Sequence, residues 1–370
     1  MLQLIFLCSM SIFVGTYLTY FAYIKRYIGK SWNVKVDESF EPEISILVPV
    51  HNEEENIELK LENIRNVSYP KNKMEIIVVD DASNDNTVQK VHIFMQKNPD
   101  LNIKLVKQNP RVGKSVALNK ALSVSTKSIL IVSDADTRWP PDILRKVLPF
   151  LGDPRIGAIT GRGINVNIKA SWVTRAEESY LRLANFVRLG ESKIHSTIRF
   201  EGGFCAYKRN AFDIFDCETG SDDSGTALKV VSGGYRSIMV PEAVFYTIFP
   251  PSFLAKFKIK LRRANQLIGL WIKCLKLLLK RRLSLPKRIA IPEITLFIFD
   301  PIILLISILS GVALIVLNPL SPLSLAIIFS VLGLMTFARH VFVELIIDNI
   351  ILISALMTYM FRRRYVAWGK

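Results

Sequence analysis

From residue 44 onward, short apolar runs alternate with stretches whose apolar residues recur at helical spacing. ISILVPV (44–50), EIIVVDD (75–81), IKLVKQ (103–108) and SILIVSDAD (128–136) have the length and β-branched content of buried strands. Between the first two, Ile57, Leu61 and Ile64 mark one face of a helix. Ser83, Asn84 and Asp85 offer N-caps for a helix over 86–97, and a further helix is expected over 114–124. This βαβ alternation predicts an α/β fold with a mainly parallel sheet covered by helices on both faces. Past residue 160 the alternation loosens, and GRGINV and EGGFCAY place glycines where a backbone must approach something closely.

Three longer apolar stretches flank this region, at 2–24, about 294–317 and 322–360, each long enough to cross a bilayer. The first has no basic residue ahead of it and no small-residue cleavage pattern, and reads as a retained anchor. Lys25, Arg26 and Lys30 follow it and predict a cytoplasmic middle, hence a multi-pass protein of the cell membrane. Arg362, Arg363 and Arg364 argue for a cytoplasmic C-terminus as well. The span 322–360 is open to two readings: two helices broken near Arg339 and His340, or one crossing with an interfacial helix. Glu344, Asp348 and Asn349 at helical spacing favour the second. The expected organisation is an N-terminal transmembrane helix (1–24), a linker (25–42), a catalytic domain (43–250, divided near 160 into nucleotide and acceptor halves), basic interfacial helices (251–292), a transmembrane region of two or three helices (293–361) and a basic tail (362–370).

Charge changes the picture in one place. Between Ala243 and Pro292 there is no acid, and twelve of the 48 Lys and Arg residues lie there, in a chain of net charge +16. Lys273, Lys276 and Lys280 form a stripe amid Leu, Ile and Trp, which suits a helix at an anionic bilayer surface. Interleaving with long aliphatic residues favours lipid over nucleic acid, and no nucleic-acid partner is expected. A non-catalytic membrane-binding protein would explain this segment alone. Cys8, Cys205, Cys217 and Cys274 and the four histidines are scattered, which indicates neither a disulfide framework nor a zinc site.

The candidate chemistry gathers at strand ends. His51 to Glu53, Asp80 and Asp81, and Asp134 and Asp136 each follow an apolar run, on the rim where open α/β sheets bind ligands. If the fourth strand runs through residue 136, Asp134 and Asp136 leave it side by side and repel. Mg²⁺ or Mn²⁺ would relieve that conflict. The competing reading is a solvated turn ahead of Pro140 and Pro141. GKS (113–115) is not a P-loop, because Gln108 stands where the first glycine is required.

The ordered set SILVPVHNEEENI, IIVVDDASNDNT, NPRVGKSVALNKAL, IVSDAD, EGGFCAY and SDDSG resembles the inverting glycosyltransferases of family 2, whose catalytic domain is a GT-A fold, over about residues 43–265. The resemblance implies that Pro49, His51, Asn52 and Glu53 form the first nucleotide-binding turn and that Asp81 contacts the nucleoside. It implies that Arg111, Lys114 and Asn119 approach the nucleotide sugar, and that Asp134 and Asp136 hold the metal. It makes Asp223 the general base, with Asp222 and Ser221 open to a capping role as well. Arg262 would reach the diphosphate. The processive synthases carry glutamine, two positions, then arginine and tryptophan; here Ile259 and Arg263 replace the glutamine and the tryptophan. The implied activity is transfer of one sugar from a UDP- or GDP-sugar to a lipid or lipid-linked acceptor, with a processive polysaccharide synthase as the alternative.

Overall fold

The computed structural model describes residues 1–361; the basic tail expected at 362–370 lies outside them. The described residues form two compact units, one of residues 27–252 and one of residues 1–26 with 253–361. The first helix, α1 (Leu2–Ile28), continues past residue 24 and ends with Lys25 and Arg26 in its last turn, where cations suit the carbonyl end.

The unit 27–252 runs β1 (Ile44–Val50), α2 (Ile57–Arg65), β2 (Met74–Asp81), α3 (Thr87–Lys97), β3 (Ile103–Gln108), α4 (Lys114–Val124), β4 (Ile129–Val132), α5 (Ile143–Leu151), β5 (Ile156–Asn165), α6 (Trp172–Ile194), β6 (Cys205–Lys208), α7 (Asp222–Ser232) and β7 (Arg236–Thr247). The strands form one sheet in the order β3-β2-β1-β4-β6-β5-β7. Every strand is parallel to the rest except β6, which runs against both β4 and β5. Along β1 and β2 every residue is buried, as a strand covered on both faces requires. Ile46 and Val48 of β1 and Ile76 and Val78 of β2 share a core with Ile57, Leu61 and Ile64 of α2. Between Thr160 and Arg162 the β5–β7 register shifts, and a Cβ on Gly161 would meet the Ala243 carbonyl at 2.3 Å. The bulge needs a glycine there.

One expectation fails. β4 stops at Val132, not at Asp136. The Ser133 N–H still donates to Leu47 O (3.1 Å), but the Asp134 N–H donates to Gly202 O (3.2 Å), so the chain has left the ladder. Asp134 and Asp136 lie on a turn, and strand alternation does not aim them.

In the other unit, α8 (Phe253–Leu279), α9 (Lys287–Ile294), a π-helical turn (Thr295–Phe299), α10 (Asp300–Leu317), α11 (Pro322–Phe337) and α12 (Arg339–Met360) follow in order. The helical stretches Leu2–Ile28, Lys287–Leu317 and Phe342–Met360 are long and apolar enough to cross a membrane; α11 is shorter. The break within 322–360 falls at Ala338. Ion pairs of two buried lysines with half-buried acids join α8 to α12: Lys256 Nζ to Glu344 Oε1 at 2.7 Å and Lys260 Nζ to Asp348 Oδ1 at 2.7 Å.

Candidate active site

Two strand-end turns are laced together. After β1, the Asn52 N–H donates to Ser83 Oγ (2.9 Å), the Glu53 N–H to Thr87 Oγ1 (2.8 Å) and the Glu54 N–H to Asp85 Oδ2 (3.1 Å). Asn52 Oδ1 accepts the Asn84 N–H at 2.9 Å, and His51 Nδ1 donates to the Asp81 carbonyl at 2.8 Å. Asn52 and Ala82 hold positive φ, 54° and 58°, in these tight turns. The helix expected from 86 begins at Thr87, whose N–H donates to Asp85 Oδ1 at 3.0 Å.

Asp81, at the end of β2, is fully buried and fully engaged. Its carboxylate accepts from the Gln108 amide (2.7 Å) and from the N–H groups of Val112 and Gly113 (both 2.8 Å), pinning the loop ahead of α4. Its neighbour Asp80 differs. Asp80 Oδ2 accepts the Ser83 N–H at 3.3 Å, while the buried Oδ1 has no hydrogen-bond partner. A buried carboxylate oxygen left open beside a strand-end turn is a place where a donor group from a ligand fits.

Lys114, the first residue of α4, is the hub of the acidic cluster. Its Nζ is 2.7 Å from Asp134 Oδ1 and 3.3 Å from Asp222 Oδ2. Burial would depress this ammonium, but Asp134, Asp222 and Asp223 raise its pKa and keep it charged. Asp222 is pushed up to about 6, chiefly by burial, with Lys114 opposing and Asp223 and Asp134 adding to the rise. Asp136 is also raised, by burial and by the like charges of Asp134 and Glu53, with Lys114 opposing. Asp223 Oδ1 accepts from Ser221 Oγ (2.7 Å) and the Ser224 N–H (2.6 Å), which fixes the carboxylate at the start of α7. Gly202 closes the other side: a Cβ there would lie 2.8 Å from Lys114 Nζ and 2.9 Å from Asp134 Oδ2.

Residues 45–215 match the model of glycosyl transferase family 2. This chain is a glycosyltransferase carrying a family 2 domain. It is similar to the probable glycosyltransferase YdaM of Bacillus subtilis (strain 168), with 28% identity over 83% of this chain and 75% of that protein. It is similar to the poly-beta-1,6-N-acetyl-D-glucosamine synthase of Staphylococcus aureus (strain COL), with 27% identity over 68% of this chain, and it spans only 61% of that synthase. Among solved structures it is similar to the mannosyltransferase PcManGT from Pyrobaculum calidifontis, in complex with GDP-Man and Mn²⁺, at a TM-score of 0.84 and 29% identity over 98% of this chain and 100% of that one. The seven-stranded, mostly parallel sheet with its flanking helices is the GT-A fold.

Within the glycosyltransferase the site residues fall into distinct groups. Lys114 contacts Asp134 and Asp222, Asp136 and Asp223 interact with them through charge, Glu53 interacts with Asp136 through charge, and His51 and Asn52 tie the turn after β1 to the turn after β2. Pro49 is buried in the body of β1, opposite Val79, two residues beyond the last residue of β1 paired with β4, so its missing N–H removes no bond on that side. Asn119 points elsewhere. Its amide accepts the Phe215 N–H (2.7 Å), donates to the Phe215 carbonyl (3.2 Å) and so anchors the segment leading to α7. Arg111 is exposed on the loop that Asp81 pins. Arg262 belongs to α8 in the other unit. The close approach expected of the EGGFCAY glycines is present at Gly202, though sequence did not name its partners. Two features were not foreseen from sequence: the open oxygen of Asp80, and Lys60, whose one signal was a lysine on the apolar stripe of α2.

Proposed function

We propose that this glycosyltransferase is an inverting hexosyltransferase that moves one sugar from a nucleoside-diphosphate sugar to a lipid or lipid-linked acceptor at the cytoplasmic face of the membrane. The observation that carries the reading is the convergence of Asp134 and Asp222 on the Lys114 ammonium, beside the fixed carboxylate of Asp223. Asp223 Oδ1 is occupied by two donors, and Oδ2 is the oxygen offered to the acceptor hydroxyl as it loses its proton. One displacement at the anomeric carbon inverts its configuration. The open Oδ1 of Asp80 suits an N–H or O–H of the nucleoside, with Asp81 holding the adjoining loop. Lys114 supplies positive charge where the diphosphate leaves, and Arg111 is a second cation on the neighbouring loop.

The acidic cluster fits a divalent cation, because burial and then the like charges of Asp134 and Glu53 raise the Asp136 pKa, and Lys114 only partly offsets them. Asp134 and Asp136 are the residues that would hold Mg²⁺ or Mn²⁺. Such a cation, when bound, stabilises the negative charge of the departing nucleoside diphosphate. The GDP-Man and Mn²⁺ of the Pyrobaculum structure make GDP-mannose with Mn²⁺ the first pair to test. The domain order expected from the sequence supports membrane attachment on both sides of the catalytic unit, with α8 at the bilayer surface. A polymerising reading draws support from the staphylococcal synthase. The replacements at Ile259 and Arg263 weigh against it.

The test incubates the purified chain in detergent with GDP- and UDP-sugars, with Mn²⁺, Mg²⁺ or EDTA, and with or without membrane lipid extract. Release of nucleoside diphosphate that requires both the cation and lipid is expected. No release with any donor would overturn the reading, and a ladder of product lengths would replace it with polymerisation.

A further inference from the structure

Helix α2 turns the stripe Ile57, Lys60, Leu61 and Ile64 into the core, and the lysine among them is completely buried. Its Nζ donates to the Thr137 carbonyl at 3.2 Å and sits 4.1 Å from the centroid of the Trp139 ring. A buried ammonium is costly, and burial with the nearby charge of Arg138 depresses its pKa well below the usual lysine range, against the pull of Asp134 and Asp136. Something other than core packing retains a lysine here, since an aliphatic residue would fill the stripe without that penalty.

Three residues along, Asn63 grips the same turn. Its Nδ2 donates to the Trp139 carbonyl and its Oδ1 accepts the Trp139 N–H, both at 2.8 Å. Arg138 donates to the carbonyls of Ala135 (2.7 Å) and Thr137 (2.8 Å), and across to Asn56 at the head of α2 (3.3 Å). On the opposite side the Gly203 carbonyl accepts from Ser133 Oγ (3.2 Å), Thr137 Oγ1 (3.3 Å) and Trp139 Nε1 (2.8 Å). The segment 133–139 is therefore held between α2 and the glycine pair, and it carries both aspartates.

We propose that Lys60 and Asn63 are positioning residues: α2 is a splint that fixes the turn bearing Asp134 and Asp136 in the geometry a divalent cation needs. The consequence for metal binding rests on the metal reading of that turn. Neither residue touches substrate; each acts through the backbone of 137–139. Supporting groups of this kind, when removed, weaken metal affinity by roughly 10- to 100-fold.

The experiment uses the full chain in detergent, with Mn²⁺ alone titrated by electron paramagnetic resonance and, separately, hydrogen exchange of the 133–139 segment without metal. Lys60→Met and Asn63→Ala are each expected to raise the Mn²⁺ Kd roughly tenfold and to speed exchange through 133–139. The thermal midpoint of Lys60→Met is expected to be no lower than that of the natural chain, an outcome that a purely structural lysine would not give. The double variant should lose less than the product of the single losses, because both act on one turn. A Kd within twofold together with unchanged exchange in folded variants overturns the proposal. So does failure of both variants to fold, which would assign the contacts to folding. If the natural chain binds no Mn²⁺, the metal reading falls, and the exchange comparison still decides whether α2 holds the turn.

Discussion

Asp222 and Asp223 are adjacent, yet the structure gives them different work. Asp223 is fixed by Ser221 and the Ser224 N–H, while Asp222 faces Lys114 and has its pKa raised to about 6. Replacing Asp223 by Asn keeps the shape and removes the proposed base, so turnover is expected to fall about 10²- to 10⁴-fold with KM for the donor little changed. For Asp222 the sign of the pH effect follows from the direction of the shift. Below about 6 it takes up a proton and Lys114 loses one of its two contacting carboxylates, so activity should rise with pH through that range. The contribution to stability runs the other way: a raised acid is most favourable to the folded state below its ordinary pKa, and that advantage is lost as pH climbs through about 6. An initial-rate pH profile checks this, and Asp222→Asn should flatten the limb. Gly202→Ala inserts a methyl 2.8 Å from Lys114 Nζ and 2.9 Å from Asp134 Oδ2. The lysine end can shift, so the melting temperature should change little. kcat/KM should nevertheless drop on the order of 10²-fold, because the ion pair is displaced. Unchanged kinetics would show that this pair is not part of the site.

Elements were legible wherever one period dominated. β1 and β2 are uniformly apolar, and α3 and α4 lie where capping residues and spacing placed them. β6 was not legible. CAYK is four residues long, and nothing in it states that it runs against its neighbours. The length of β4 was misjudged because SILIVSDAD keeps an apolar beginning while its Asp134 N–H turns to Gly202, a residue about seventy positions later that no local pattern can supply. Asn119 shows the same limit, since an asparagine in a nucleotide-binding segment and one clamping Phe215 look alike in one dimension. In the other unit, the α8–α12 ion pairs can be tested directly. Lys256→Met leaves Glu344 without its nearest cation and should cost about 3–5 kcal/mol, whereas Lys256→Met with Glu344→Leu should be near neutral. Chemical unfolding in detergent separates the two, and equal losses would mean that the pair is not buried in effect.

At the scale of the whole molecule, the order of apolar and polar positions signalled both characters of the chain: an alternating α/β region and helices long and apolar enough to cross a membrane. Charge placement supplied the expected orientation, and the match of residues 45–215 to family 2 supplied the class of chemistry. Removal of divalent cations should therefore abolish release of nucleoside diphosphate without unfolding the chain, and Mn²⁺ should restore it. Activity that persists through exhaustive chelation would separate this chain from the metal-dependent members.

The partners of Lys256 and Lys260 stand 88 positions further along the chain. During biosynthesis α8 therefore leaves the ribosome well before its counter-ions exist. These two ammonium groups must wait in water or among headgroups until α12 emerges, so this helix can settle only after α12 has been made. A nascent chain arrested ahead of residue 344 should leave Lys256 and Lys260 open to a water-soluble amine-modifying reagent, and one extended beyond residue 348 should protect them.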